Sequence, residues 1–269
     1  MRKTVLITGA AGGLGRELAQ VYGQAGWQLA LADNDAPLLE QTAQTLAAAG
    51  FNVLTHACDV RNDHDVQAFI DNSIRHYGDI HCLINNAGVA VAGSIDGVTL
   101  TDWQWVMDIN LLGVVRGCHY AVARMKTQGF GQLINIASLA GLLTLPEMSA
   151  YNASKAAVVS LSETLHAELA PYGIRVHVVC PGFFKTGLGR SLRSPNPATA
   201  AHLEKLMLNS SLSAREIART IYQRAALNDL YILPHRSGNT WWHLKRYSPL
   251  LYFRLMQRTA SRLYRYHQR

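Results

Sequence analysis

Short, mostly apolar runs alternate along the chain with longer stretches in which apolar positions recur every three or four residues. The short runs cover 4–8, 28–32, 52–57, 81–84, 132–137, 175–179 and 230–233. They lack strict polar alternation, which is the pattern of strands buried on both faces. The stretches 14–25, 36–49, 66–76, 103–126, 150–170 and 215–227 carry helical spacing. Thr101 with Gln104, and Ser213 with Glu216, have the form of capping boxes, and Ser149 is placed to cap the helix over 150–170. Strands separated by helices predict right-handed crossovers and an α/β doubly wound parallel sheet, about seven strands with helices on both faces. No repeat or linker interrupts the first 186 residues, so 1–235 reads as one domain and 236–269 as an extension. Segment 187–211 breaks the alternation with Ser194-Pro195-Asn196-Pro197 and a short helical stretch over 202–208. Its place between the sixth and seventh strands suits a lid over the strand ends; the alternative is a plain surface loop.

Composition adds little until charge is located. Hydrophobic residues make up 49% and charged residues 16%, ordinary for a protein with a large core. The net charge is +7, yet Leu230 onward holds eight Lys or Arg and no acid, which leaves −1 for the first 229 residues. A neutral body with no basic face argues against nucleic acid as a partner. Cys58, Cys82, Cys118 and Cys180 are widely spaced, without a CxxC pair or clustered histidines. Neither a metal site nor a disulfide framework is expected, and reduced thiols suit a cytoplasmic protein. The apolar run at 4–7 is too short for a signal-peptide core or a membrane span.

The first strand runs directly into Thr8-Gly9-Ala10-Ala11-Gly12-Gly13-Leu14-Gly15 and a helix. Glycines there let the backbone turn tightly and approach a pyrophosphate held at the helix N-terminus. Asp33 closes the second strand. A carboxylate at that place accepts from both hydroxyls of a ribose and repels a 2′-phosphate. Ala32 and Asn34 flank it, so no cation is adjacent to offset the repulsion, and NAD is expected over NADP. The alternative for Asp33 is a capping or surface acid.

Further motifs follow in order: Asp59-Val60 after the third strand and Asn85-Asn86-Ala87-Gly88 after the fourth. Then come Asn110, Ser138, Tyr151-x-x-x-Lys155, and Pro181-Gly182 with Thr186. With Gly9, Gly13 and Gly15, these positions make the chain similar to the short-chain dehydrogenase/reductase family over about residues 4–187, a Rossmann-like fold. The resemblance implies that Asp59 and Val60 flank the adenine, and that Asn85, Ala87 and Gly88 line the adenosine ribose and steady the sheet. It implies that Leu14, Pro181 and Gly182 border the cofactor and that Thr186 holds its carboxamide. Ser138 would orient the substrate. Asn110 would hold a water linking Lys155 to solvent, against the alternative of a buried amide that stitches backbone. A homodimer or homotetramer, paired through the helices over 103–126 and 150–170, is implied too.

Tyr151 and Lys155 are four apart on a helix and share one face. A phenol of pKa about 10 needs roughly 4 kcal/mol of preference for its anion to work near neutrality. An ammonium about 4 Å away supplies approximately that at an intermediate dielectric, and the spacing therefore predicts a tyrosine general acid/base. The loops expected near the reacting carbon carry Val89, Ala90 and Val91, then Leu139, Leu142, Leu143, Leu145 and Met148, then Phe183 and Phe184. Only Lys185 adjoins them as a cation, so an apolar secondary alcohol or ketone, steroid-like, retinoid-like or lipid-like, fits better than a phosphorylated one. Two other readings are a carrier-protein 3-oxoacyl reductase, which Asp33 opposes, and a non-catalytic dinucleotide sensor, which the complete set of four catalytic positions opposes.

In the C-terminal stretch, Trp241 and Trp242 precede a helical pattern that Pro249 can open. Arg254, Arg258, Arg262 and Arg265 then recur along one face, beside Leu251, Phe253, Leu255, Met256, Leu263, Tyr264 and Tyr266. An interfacial helix on an anionic membrane surface fits that pattern. Packing on a neighbouring subunit or over the substrate cleft fits it equally.

Overall fold

The computed structural model describes residues 2–185, 189 and 191–267, with side chains through 262. Strands β1 (Thr4–Thr8), β2 (Gln28–Asp33), β3 (Val53–Ala57), β4 (Cys82–Asn85), β5 (Gly131–Ile136), β6 (Ile174–Val179) and β7 (Tyr231–Ile232) form one sheet. Its order is β3-β2-β1-β4-β5-β6-β7, and every pairing is parallel. The helices are α1 (Gly13–Gln24), α2 (Ala36–Ala48), α3 (Asp63–Tyr77), α4 (Leu100–Met107), α5 (Gly113–Gln128), α6 (Leu139–Leu142) and α7 (Ser149–Leu169). After β6 come α8 (Pro197–Leu208) and α9 (Ala214–Ala226), and after β7 α10 (Arg236–Tyr247) and α11 (Pro249–His267).

Strand alternation divides the core between the two faces. In β1, Val5 and Ile7 join Leu18, Tyr22, Leu39 and Ile221 from α1, α2 and α9. Leu6, between them, joins Phe69, Ile70, Val114, Met125 and Val158 from α3, α5 and α7. All five residues of β1 and all six of β5 are buried, as strands covered on both sides require. The order reverses between β1 and β4, and the crevice at the carboxyl ends of these strands is where an open parallel sheet holds ligands.

Three local expectations are corrected. The helical stretch 103–126 is not one helix: a π turn over Asp108–Leu112 separates α4 from α5. Its N-terminal cap is Thr99, whose Oγ1 accepts from the Asp102 amide at 3.1 Å, and Thr101 lies inside the helix. Ser149 does not cap α7 either; it is the first helical residue, and its hydroxyl is buried without a hydrogen bond. The Ser213–Glu216 capping box forms, with the Glu216 carboxylate accepting from the Ser213 amide at 2.8 Å. Pro249 stands at the first position of α11.

Candidate active site

A groove of about 450 Å³ opens along the carboxyl ends of β1, β2, β4 and β5. Its floor at one end is the turn between β1 and α1. Gly9 and Gly13 have φ of +64° and +54°, a region L side chains avoid. A Cβ at Gly15 would stand 2.1 Å from the Gly9 carbonyl oxygen, so α1 can start this close to β1 only with glycine there. Gly12 caps α1 without a side-chain bond, and the first turn carries no acid. Gly12, Gly13 and Leu14 line the groove, so the unpaired amides of this turn offer an anion site.

Asp33 stands beside that turn. Its Oδ2 accepts from the Ala11 amide at 2.9 Å and its Oδ1 from the Asp35 amide at 3.0 Å. These bonds fix the carboxylate at the groove wall and leave lone pairs for further donors. Asp59 and Val60 line the same end. Arg61 clamps the Asp59 carboxylate at 2.5 Å and holds it well below the usual carboxylate range.

The fourth-strand motif divides its tasks. Asn86 lines the groove, donates from Nδ2 to the Thr8 and Gly9 carbonyls at 2.9 Å, and so ties β4 to the glycine turn. Asn85 points the other way and is corrected as a ribose contact. It is buried under α5, donates to Asn135 Oδ1 at 2.9 Å, and only steadies the sheet. Ala87 and Gly88 line the groove, as does Pro181. Gly15 and Gly182 act from behind the lining, Gly182 packed between Leu139 and His235 and donating to His235 Nδ1 at 3.0 Å. Thr186 lies outside the described residues. His235 was not singled out by any motif, although β7 ends at the same sheet edge as β5 and β6, where a polar side chain can meet the site.

At the inner end, Ser138, Tyr151 and Lys155 come together. The Ser138 hydroxyl caps α6, accepting from the Ala140 amide at 3.1 Å, donates to the Pro181 carbonyl at 3.4 Å, and lies where it favours the Tyr151 phenolate. Lys155 donates from Nζ to the Ile136 carbonyl at 2.9 Å, and its Nζ lies 5.9 Å from the Tyr151 ring centre. The electrostatics of the pair nevertheless differ from those that the spacing alone predicts. Burial pushes the Tyr151 phenol up to about 12 and the Lys155 ammonium down to about 8. Lysine alone therefore does not bring the phenol near neutrality, because burial outweighs it. Asn110, in the π turn, is fully buried. Its amide donates to the Val89 carbonyl at 3.0 Å and to Ser154 Oγ at 3.1 Å, and its Oδ1 accepts from the Val89 amide at 2.9 Å. These bonds tie Asn110 to the backbone of Val89 and to Ser154 on α7. All four cysteines are buried, and burial pushes their thiols up to about 12, which keeps them protonated.

A sequence model described as short chain dehydrogenase matches residues 3–197. A dehydrogenase/reductase of CLA biosynthesis from Lactiplantibacillus plantarum is 33% identical over 255 residues, covering 88% of this chain and 89% of the relative. A 3beta-hydroxysteroid dehydrogenase from Eggerthella lenta is 32% identical, over 80% of this chain and 82% of its own. A Burkholderia phymatum short-chain dehydrogenase/reductase, solved in complex with NAD, superposes with a TM-score of 0.89. It is 34% identical over 93% of this chain and 95% of that one. The chain belongs to the short-chain dehydrogenase family.

As a short-chain dehydrogenase it is an oxidoreductase acting on alcohol or ketone substrates, built on the Rossmann-like sheet. Residues 191–211 pack beside the Tyr151 end of the groove. Arg193 forms a parallel bridge with Val91 and stacks its guanidinium 3.6 Å from the Trp105 ring centre while pairing with Asp102 at 2.8 Å. Thr199 donates to Glu147 at 2.8 Å. Leu203 and Met207 from α8 then pack with Val91, Met148, Ala150 and Tyr151. Of the loop residues expected around a substrate, Val89, Ala90, Val91, Leu145, Met148 and Phe183 gather here. Leu142 and Leu143 turn into the core, and Phe184 lines the cofactor groove.

Proposed function

We propose that this protein interconverts an apolar secondary alcohol and its ketone with NAD, using Tyr151 as the proton-transfer group. The observation that carries the reading is a single groove lined by Asp33 at one end and by Tyr151 and Lys155 at the other. The groove fits an extended dinucleotide: bare helix amides at Gly12–Leu14 for the pyrophosphate, Asp33 for the adenosine ribose, and Asp59 and Val60 at the adenine end. Bound nicotinamide supplies hydride transfer and, when oxidised, positive charge that lowers the phenol. Ser138 holds the reacting oxygen and stabilises its developing charge. Tyr151 accepts the hydroxyl proton in oxidation and returns it in reduction. Lys155, anchored at Ile136, favours the anionic phenol from below.

Support for an apolar substrate comes from the cluster around Tyr151, where Val91, Met148, Leu203 and Met207 meet. The Eggerthella lenta relative, by its description, acts on a hydroxysteroid. Support for NAD comes from the Asp33 carboxylate, which the Ala11 and Asp35 amides hold in place. Changing Asp33→Ala with Asn34→Arg is expected to move the kcat/KM ratio toward NADP by about 100-fold or more, by removing repulsion and adding a phosphate partner. Steady-state kinetics with both cofactors checks it. A wild-type preference for NADP would mean that Asp33 does not select the cofactor.

A further inference from the structure

The hairpin of α10 and α11 lies beyond the segment that the family model matches. One face of it is fastened to the substrate loop behind Ser138. Gly238 sits so near Leu139 that an added Cβ would come within 2.3 Å of it, and Lys245 Nζ donates to the Leu142 carbonyl at 2.6 Å. Tyr252 of α11 is 1% exposed in the same core, and Trp242 packs on Tyr231 with ring centres 4.9 Å apart.

The other face has no cover. At the corner between the helices, Leu250 is 77% exposed, Tyr247 76%, Leu251 50% and Phe253 46%. Arg246 and Arg254 are exposed at that corner, Arg258 and Arg262 are exposed farther along α11, and no acidic residue follows Asp229. Exposed leucines in pairs are costly in water, and a cluster of this kind marks an interaction surface. We propose that this corner docks on the surface of an anionic lipid bilayer, its apolar side chains entering the boundary between headgroups and acyl chains. Charge decides the occupant. A two-fold pair of these chains meeting through this face would set one arginine cluster against another, whereas anionic headgroups neutralise all four arginines and the acyl boundary takes up the leucines. No described helix is long and apolar enough to cross a membrane, so the attachment is peripheral. Docking through this hairpin would bring the loop behind Ser138 close to the bilayer, where apolar alcohols and ketones dissolve. The docking itself does not depend on the proposed reaction.

The test is sedimentation of the full-length protein with vesicles of phosphatidylglycerol and phosphatidylcholine in equal parts, against vesicles of phosphatidylcholine alone. The expected result is enrichment on the anionic vesicles only. Arg254→Gln with Arg258→Gln should weaken it by about 30-fold. Leu250→Gln with Leu251→Gln should weaken it at least about tenfold. Unchanged thermal midpoints would show that both variants fold. Equal binding to both vesicle types, binding by neither, or full retention by either folded double variant would overturn the proposal. So would a wild-type dimer, seen by analytical ultracentrifugation, that dissociates in the leucine variant, because the face would then belong to a second copy.

Discussion

Tyr151→Phe is expected to bind NADH as the parent protein does and to lose turnover by about 10²- to 10⁴-fold, the span attributed to a positioned proton donor or acceptor. The substitution removes one hydroxyl from a side chain that is 7% exposed. The ring keeps its place among Val91, Met148, Ala150 and Met207, so packing changes little. What disappears is the phenolic hydroxyl on which Ser138 acts, at the inner end of the groove. The loss should therefore fall on kcat, with cofactor affinity preserved. Fluorescence titration with NADH and single-turnover kinetics separate the two quantities. A folded Tyr151→Phe protein with kcat near normal would remove Tyr151 from the mechanism.

Gly15→Ala is expected to act in the opposite manner, by abolishing cofactor binding while leaving the catalytic side chains in place. Its Cβ would sit 2.1 Å from the Gly9 carbonyl oxygen and 2.9 Å from Ala10 Cα, which are backbone atoms and cannot rotate away. Either α1 slides outward or the glycine turn opens. Both movements displace the amides of Gly12–Leu14, on which the pyrophosphate site depends. Binding of NADH should weaken by at least about 100-fold, the equivalent of roughly 2.7 kcal/mol of lost anion contacts. Stability should fall as well, because the turn is fastened to β4 through Asn86. Calorimetric titration with NADH measures the first effect and thermal unfolding the second. Wild-type affinity in Gly15→Ala would show that this turn does not carry the cofactor.

The glycine turn, Asp33 and the Tyr151–Lys155 spacing were legible because each is a local demand: a left-handed φ, a strand end, a helix repeat. The parallel, doubly wound sheet follows equally from alternation of strand and helix. What could not be read depends on direction over longer distances. Residues 103–126 keep helical spacing through the π turn, because one extra residue in a turn hardly changes the apolar pattern. Thr99 and Thr101 both have a polar residue three positions on, and only the entry angle of the chain selects Thr99 as the cap. Asn85 and Asn86 are neighbours at a strand end and point to opposite sides, so one motif contains both a buried strut and a groove residue. The lysine shift differs because burial, which helix spacing does not disclose, raises the phenol and lowers the ammonium. Four-residue spacing places Lys155 on the face of Tyr151, but the Ile136 carbonyl, contributed by β5, takes its ammonium. His235 follows the last strand, at the N-terminal cap of α10, and no motif singles it out; only the folded sheet brings it to Gly182.

The central claim is NAD-linked oxidation of an apolar secondary alcohol. It is tested most directly by initial rates of the wild-type protein with NAD⁺ and NADP⁺ on a panel of steroid, retinoid and long-chain secondary alcohols, followed by the absorbance of the reduced nicotinamide. The account predicts turnover on at least one of these apolar alcohols, with kcat/KM for NAD⁺ above that for NADP⁺ by at least about tenfold. Nicotinamide reduction confined to phosphorylated or carboxylated alcohols, or a preference for NADP⁺, would contradict it.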